Sequence, residues 1–153
     1  MTPRGTRRRR QSGNAMVEFA VAAGLLIPCF VGVFEFGYGF YVYNRLTAAV
    51  RGGARYASLL KYDSATTNPS HTYSTAVQNM VVYGSPAGGT DAVVPGLTAD
   101  QVVITMAFAN EVPDVVTVAI RSFSLNTVFA TLNWGDKPAA SFRYEGNFAP
   151  SGG

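Results

Sequence analysis

"VEFAVAAGLLIPCFVGVFEFGYGFYVYNRLTAAVRGGARYASLL", residues 17–60, decides the fold. From Phe19 to Phe34 there is no charge, and from Phe19 to Asn44 the one charged residue is Glu35. A helix that crosses a bilayer needs roughly 20 apolar residues, and this run is long enough. Tyr38, Phe40, Tyr41 and Tyr43 crowd its far end, like the aromatic belt of a membrane interface. Beyond them the pattern stays helical but changes character. Leu46, Ala49, Val50, Ala54, Ala57 and Leu60 recur at spacings of three and four, and Arg45, Arg51, Arg55 and Lys61 are left to the polar sides. A helix from about Ala15 to Leu60 would be roughly 70 Å long, about twice a bilayer core, so its outer half must pack on something. Gly52 and Gly53 weaken that half by ~1 kcal/mol each, which points to close packing or a bend.

The charge of the chain sits at one end. The 153 residues carry 12 basic and 9 acidic side chains, a formal charge of +3. Arg4, Arg7, Arg8, Arg9 and Arg10 all precede Gly13, with no acid among them. Without those five, seven basic residues stand against nine acids. The basicity therefore belongs to a leader and does not describe a nucleic-acid-binding surface. Arginines on the N-terminal side of an apolar span predict an N-terminus inside and a C-terminus outside. That topology accounts for them better than an RNA-binding arm, and no nucleic acid is expected as a partner.

After the helix, "YDSATTNPSHTYS" reads as a linker and "STAVQNMVVYG" as a short helix with Ser74 as N-cap and Gly84 as stop. Strands follow. Val102, Ile104, Met106 and Phe108 share one face, as do Val116, Val118 and Ile120, and as do Ala140, Phe142 and Tyr144. "ANEVPD" suits a hairpin loop, and "LNTVFATLNWGDKP" reads as an irregular connection. The expected fold is α+β: a long N-terminal transmembrane and amphipathic helix packed on a small, mostly antiparallel sheet of three to four strands. The division is a basic leader 1–13, a long helix 14–61 with its transmembrane half at 15–43, a linker 62–100 with a short helix 74–83, a sheet domain 101–146 and a flexible tail 147–153. Cys29 and His71 are the only residues of their kinds. They leave little material for catalysis or a metal site, so no catalytic residue, metal or cofactor is expected. Cys29 reads as an apolar filler and His71 as solvated.

A conventional secretory signal ends in small residues, but bulky "YGFYVYNRL" follows this apolar run. The other place to cut is before the run, where "SGNAMVEF" sets Gly13 five residues ahead of Glu18. Here the chain resembles the type IV prepilins, and its Glu18-Phe19 pair resembles the Flp/Tad subclass. More closely, it is similar to the TadE-like family of minor pseudopilins, in Val17-Glu18-Phe19, Pro28, Glu35-Phe36-Gly37 and "AAVRGGARYA"; the tail motif "SFRYEG" is similar more weakly. The resemblance implies a pilin-like fold and a cut between Gly13 and Asn14 by a prepilin peptidase, of which this chain is the substrate. It implies partners among other Tad pseudopilins, the major Flp pilin and the inner-membrane assembly platform, beside the lipid bilayer itself. It also implies that Glu18 pairs with the new N-terminal amine of a neighbouring subunit. A charge at the bilayer centre costs at least ~2.5–3.5 kcal/mol, so an unpaired Glu18 would be expensive in a packed apolar bundle. The plainer reading keeps Glu18 near the headgroups, where the start of a helix favours an acid.

Further positions carry two readings each. Ala20, Gly24, Pro28 and Gly32 are spaced by four, as a close helix contact requires, or as small residues commonly fall in membrane spans. Glu35 either contacts a basic group of a partner or snorkels to the interface. Arg51 and Arg55 lie on one helix face; they either reach acids such as Asp114 or Glu145, or a partner, or stay solvated. The function these readings support is a minor pseudopilin of a Tad/Flp-type pilus in the cytoplasmic membrane, acting in assembly, initiation or tip structure. The rivals are an uncleaved single-pass protein displaying a small binding domain, the filament-forming pilin itself, and an enzyme.

Overall fold

The computed structural model describes residues 9–127 and 129–150. Arg4, Arg7 and Arg8 of the leader and residues 151–153 of the tail lie outside the described residues. The elements are α1 (Arg9–Leu59), α2 (His71–Tyr83), a 3-10 turn (Ala99–Gln101), β1 (Val102–Ala109), β2 (Val112–Ile120), β3 (Phe123–Asn126), β4 (Thr131–Trp134) and β5 (Ala139–Arg143). The chain divides into two compact units, Met1–Tyr38 and Gly39–Gly153. The described part of the first is helix alone. The α+β architecture lies in the second.

In the second unit α1 buries Val42, Leu46, Val50, Ala54 and Ala57, one stripe at spacings of four and three. Against this stripe lies the inner face of an antiparallel sheet ordered β1-β2-β5. Val102 pairs with Ile120, Met106 with Val116, and Val118 with Ala140. Val116, Val118 and Ile120 are fully buried, as their alternation requires. Asn110 and Glu111 turn β1 into β2 with φ of 52° and 65°, the left-handed pair of a type I′ hairpin. The stretch expected to be irregular forms a second sheet, the hairpin β3-β4. Its four-residue strands are too short to show a period, and the aromatics hold it: Trp134 stacks on Phe123 at 5.9 Å and meets Tyr43 at 5.7 Å.

α2 begins at His71, not at 74. Ser70 is its N-cap, with Oγ accepting the Tyr73 N–H at 3.2 Å, and Gly84 closes it at φ 73°. Both Ser70 and Ser74 are competent caps by type; Ser70 wins because the longer helix buries Tyr73 along with Val77 and Val81. The glycine pair of α1 is resolved by α2. A methyl group at Gly53 would collide with the Val81 side chain, whereas at Gly52 it would meet nothing within 4 Å. Close packing is thus the role of Gly53.

The C-terminal end of α1 has no basic residue in its last turn. Its terminal carbonyls lack partners within the helix, and the rest of the chain supplies donors. The Tyr73 hydroxyl donates to Ala57 O at 2.6 Å and the Glu145 N–H to Ser58 O at 2.9 Å. The Tyr144 hydroxyl lies 2.8 Å from Leu60 O and accepts the Tyr62 N–H at 2.8 Å. Gly146 permits this approach, because a Cβ there would stand 2.6 Å from both Leu60 O and the Tyr144 hydroxyl. Residues 147–149 are held as well: Tyr62 donates to Asn147 O at 3.0 Å and accepts from Ala149 N at 3.1 Å.

Two expectations follow. Gly53→Ala gains ~1 kcal/mol of helix propensity but overpacks a β-branched neighbour at ~1–3 kcal/mol, a net loss of about 1 kcal/mol, while Gly52→Ala is neutral or stabilising. Urea unfolding of the two variants in detergent gives the comparison. Burial pushes the hydroxyls of Tyr62, Tyr73 and Tyr144 above their ordinary 10.0. Below that value the three are protonated in folded and unfolded chains alike, so stability is flat. Above it the unfolded chain ionises first, and stability falls as pH rises. An unfolding midpoint constant up to about pH 9 and dropping beyond pH 10 is expected, with a shallower drop in Tyr73→Phe.

Candidate functional site: the apolar helix and its carboxylates

Between residues 13 and 38, α1 offers apolar side chains in all directions. Leu25, Leu26 and Ile27 are consecutive, so they span more than half the circumference, and each is more than half exposed. Phe19, Phe30, Phe34 and Phe36 are exposed too, and none of the most apolar 18-residue window is buried. Such a surface is stable only in an apolar solvent. By length and composition this helix fits a single-pass membrane anchor.

The residues singled out in the sequence fall along it as follows. Gly13 and Asn14 are exposed and already helical, since α1 starts at Arg9. Glu18 and Phe19 are exposed one to two turns further on. Ala20, Gly24 and Pro28 stand exposed in one row with the half-exposed Gly32, and a Cβ on Gly24 or Gly32 would meet no atom within 4 Å. Within this chain that row is open to a second helix. Pro28 lies inside α1 and gives the Gly24 carbonyl no N–H. Glu35 is partly exposed, Cys29 is exposed, and His71 stands exposed at the start of α2.

Arg51 and Arg55 are exposed on the outer part of α1. Of the acids suggested for them, Asp114 is paired with another residue. Asp114 faces Arg143 at 3.7 Å, and it is the backbone N–H of Glu145 that meets α1, at Ser58. Strand pairing explains the exchange, because the register that sets Val115 opposite Arg143 brings Asp114 to the end of β5. Arg51 instead lines a groove of about 480 Å³ with Tyr43, Asn44, Thr47, Lys137, Pro138 and Ala139. Sequence reasoning missed Lys137, whose part in this groove depends on where β5 begins. Among the described residues no three His, Cys, Asp or Glu side chains gather as a metal site would need. The described residues offer an apolar surface, a small-residue row, a carboxylate near each end of the span and a groove lined by Arg51 and Lys137.

The core of the second unit begins at Val42. A chain starting at residue 39 is therefore expected to stay in the supernatant without detergent and to unfold cooperatively, while the full chain needs detergent. Ultracentrifugation and thermal melts of the two check this.

Neither the curated proteins nor the solved structures contain a match to the chain. A family model described as TadE-like protein matches residues 13–55. All of the matched stretch lies in α1, from Gly13 to Arg55. The family match and the resemblance read from the sequence fall on the same helix, over residues 13–55.

Proposed function

We propose that this protein is a minor pseudopilin of a Tad/Flp-type pilus. It is made as a prepilin and held in the cytoplasmic membrane with its N-terminus inside and its sheet domain outside. A prepilin peptidase trims it after Gly13, and the shortened chain acts in pilus initiation, assembly or tip structure. The observation that carries this reading is the TadE-like match, which opens at Gly13 and takes in Glu18 and Phe19.

The physics agrees with it. The leader arginines hold the N-terminus on the cytoplasmic side. The cut removes all five and leaves an α-amine on Asn14. Once helices pack together, an exposed Glu18 carboxylate needs a cation, and the amine of a neighbouring chain supplies one. The row from Ala20 to Gly32 admits the close approach this pairing demands. In this reading Glu35 lies near the outer interface and contacts a basic side chain of a further pseudopilin, of the major Flp pilin or of the assembly platform.

The rival reading is an uncleaved single-pass protein that displays a small extracytoplasmic binding domain; a helix running across the Gly13–Asn14 bond suits it and the uncut prepilin alike. Intact mass and N-terminal peptide mapping of the membrane-extracted chain separate the two. A chain starting at Asn14, and left uncut in Gly13→Leu, is expected. Glu18→Gln is expected to be trimmed yet to drop out of assembled pili. A chain still beginning at Met1 in cells with an active prepilin peptidase would overturn the pseudopilin reading.

A further inference from the structure

The sheet of the second unit has an open side at β5. The hydrogen bonds fix which groups face outward. Ile120 N donates to Pro138 O at 3.1 Å and Tyr144 N donates to Asp114 O at 2.7 Å. In an antiparallel ladder, directly bonded pairs alternate with unbonded ones. With the register Val118–Ala140 and Val116–Phe142, Ala140 and Phe142 turn their backbone groups to β2. Ala139, Ser141 and Arg143 turn theirs away from the sheet. Three residues thus present donors and acceptors at the spacing an added strand requires.

The start of the edge carries cations. The groove at its start holds Arg51 and Lys137 beside Ala139. At its other end the Glu145 N–H meets Ser58 O, so α1 runs beside β5 between these two points, and Arg55 lies on that stretch one turn beyond Arg51. The neighbouring acids are committed or peripheral. Asp136 is held by Arg121 at 3.2 Å, Asp114 faces Arg143 at 3.7 Å, and Glu145 lies past the end of the strand.

We infer that the open edge of β5 and its cationic groove form a docking site for an extended, carboxylate-bearing segment of another protein, added as an antiparallel strand. The charge selects the occupant. Two copies of this edge would bring Arg51, Arg55 and Lys137 of each chain towards those of the other, and like charges at an interface suppress that pairing. The same cations attract an acidic strand. An antiparallel addition sets the C-terminal half of the incoming segment by Arg51 and Lys137, so its carboxylates belong there. The site does not depend on how the N-terminus is processed.

The test uses the full chain in detergent micelles and a fluorescein-labelled synthetic peptide of alternating valine and threonine, with glutamates in its C-terminal half. Fluorescence anisotropy is expected to show binding that weakens as salt rises, and no binding of the same peptide with lysines in place of the glutamates. Ser141→Pro removes an outward N–H without touching a bond to β2, at the expense of the 2.8 Å Ser141–Thr117 hydroxyl contact. It is expected to weaken the glutamate peptide roughly tenfold or more, since the proline can neither donate nor sit easily opposite an added strand. The double variant Arg51→Glu and Lys137→Glu is expected to weaken it to a similar degree, about tenfold, and to reverse the preference towards the lysine peptide. Should Ser141→Pro unfold the domain, the charge-reversed variant with an unchanged melting temperature carries the test. Failure of the glutamate peptide to bind, equal binding of both peptides, or binding by the charge-reversed variant that matches the parent overturns the proposal. So does self-association of the full chain that Ser141→Pro abolishes, which would give the edge to a second copy.

Discussion

A helix that ends inside a protein carries carbonyls that its own N–H groups cannot reach, and at the end of α1 these lie in the core. Ala57 and Ser58 are buried, and a buried carbonyl without a donor costs about 1–3 kcal/mol. The local remedies are absent: the last turn holds no basic residue, and Leu60 follows where a glycine would be usual. The donors come from Tyr73 in α2, and from Tyr144 and Glu145 after β5. Tyr144 stands 84 residues from the carbonyl it reaches. The last strand must therefore be in place before the first helix is properly finished. That requirement accounts for the tight run from Tyr144 to Ala149, in which Gly146 has no room for a side chain and Phe148 is brought to within 6.0 Å of Phe108. It also accounts for Tyr73 and Tyr144, each a ring that fills core and a hydroxyl that satisfies a carbonyl at the end of α1.

α1 meets two solvents, and its composition changes where they change. Residues 13–38 are apolar on all sides, so lipid is the medium they suit. From Val42 onward the apolar residues narrow to one stripe, and the arginines take the remaining surface. The glycines divide in the same way. Gly24 and Gly32 face open space within the chain. Gly53 has its partner within the chain, in Val81.

The long helix and the faces of the three main strands were legible because their signals are periodic and long. Sixteen uncharged residues, a stripe at three and four, and alternation in β1 and β2 leave few other solutions. What was not legible lies in contacts distant in sequence. Nothing local tells Ser70 from Ser74 as the cap; burial of Tyr73 against α1 decides it. The β3-β4 hairpin has four residues per strand, too few for a period, and owes its place to Trp134 against Phe123 and Tyr43. Arg51 and Arg55 stand exposed one turn apart on α1. Their expected acid Asp114 is turned to Arg143 by the β2-β5 register, which no reading of a single strand supplies. The family resemblance reached Gly13, Glu18 and Phe19, yet it said nothing of the groove, since Lys137 lies far beyond the matched stretch.

The two edges of the main sheet show how these constraints meet. On the β1 side stands α2, with Gln78 donating to Val102 O at 3.3 Å, and α2 is fixed there by Gly53 and by the hydroxyl of Tyr73. On the β5 side the chain is drawn off at once, because Tyr144 and Glu145 are needed at the end of α1. A strand of five residues is the result, too short to be covered by its own continuation. The capping of the helix thus leaves the sheet open on one side, and the residues beside that opening are cationic. An edge of this kind resists copies of itself while keeping its backbone groups available, so the opening serves contact with a different chain better than it serves self-assembly.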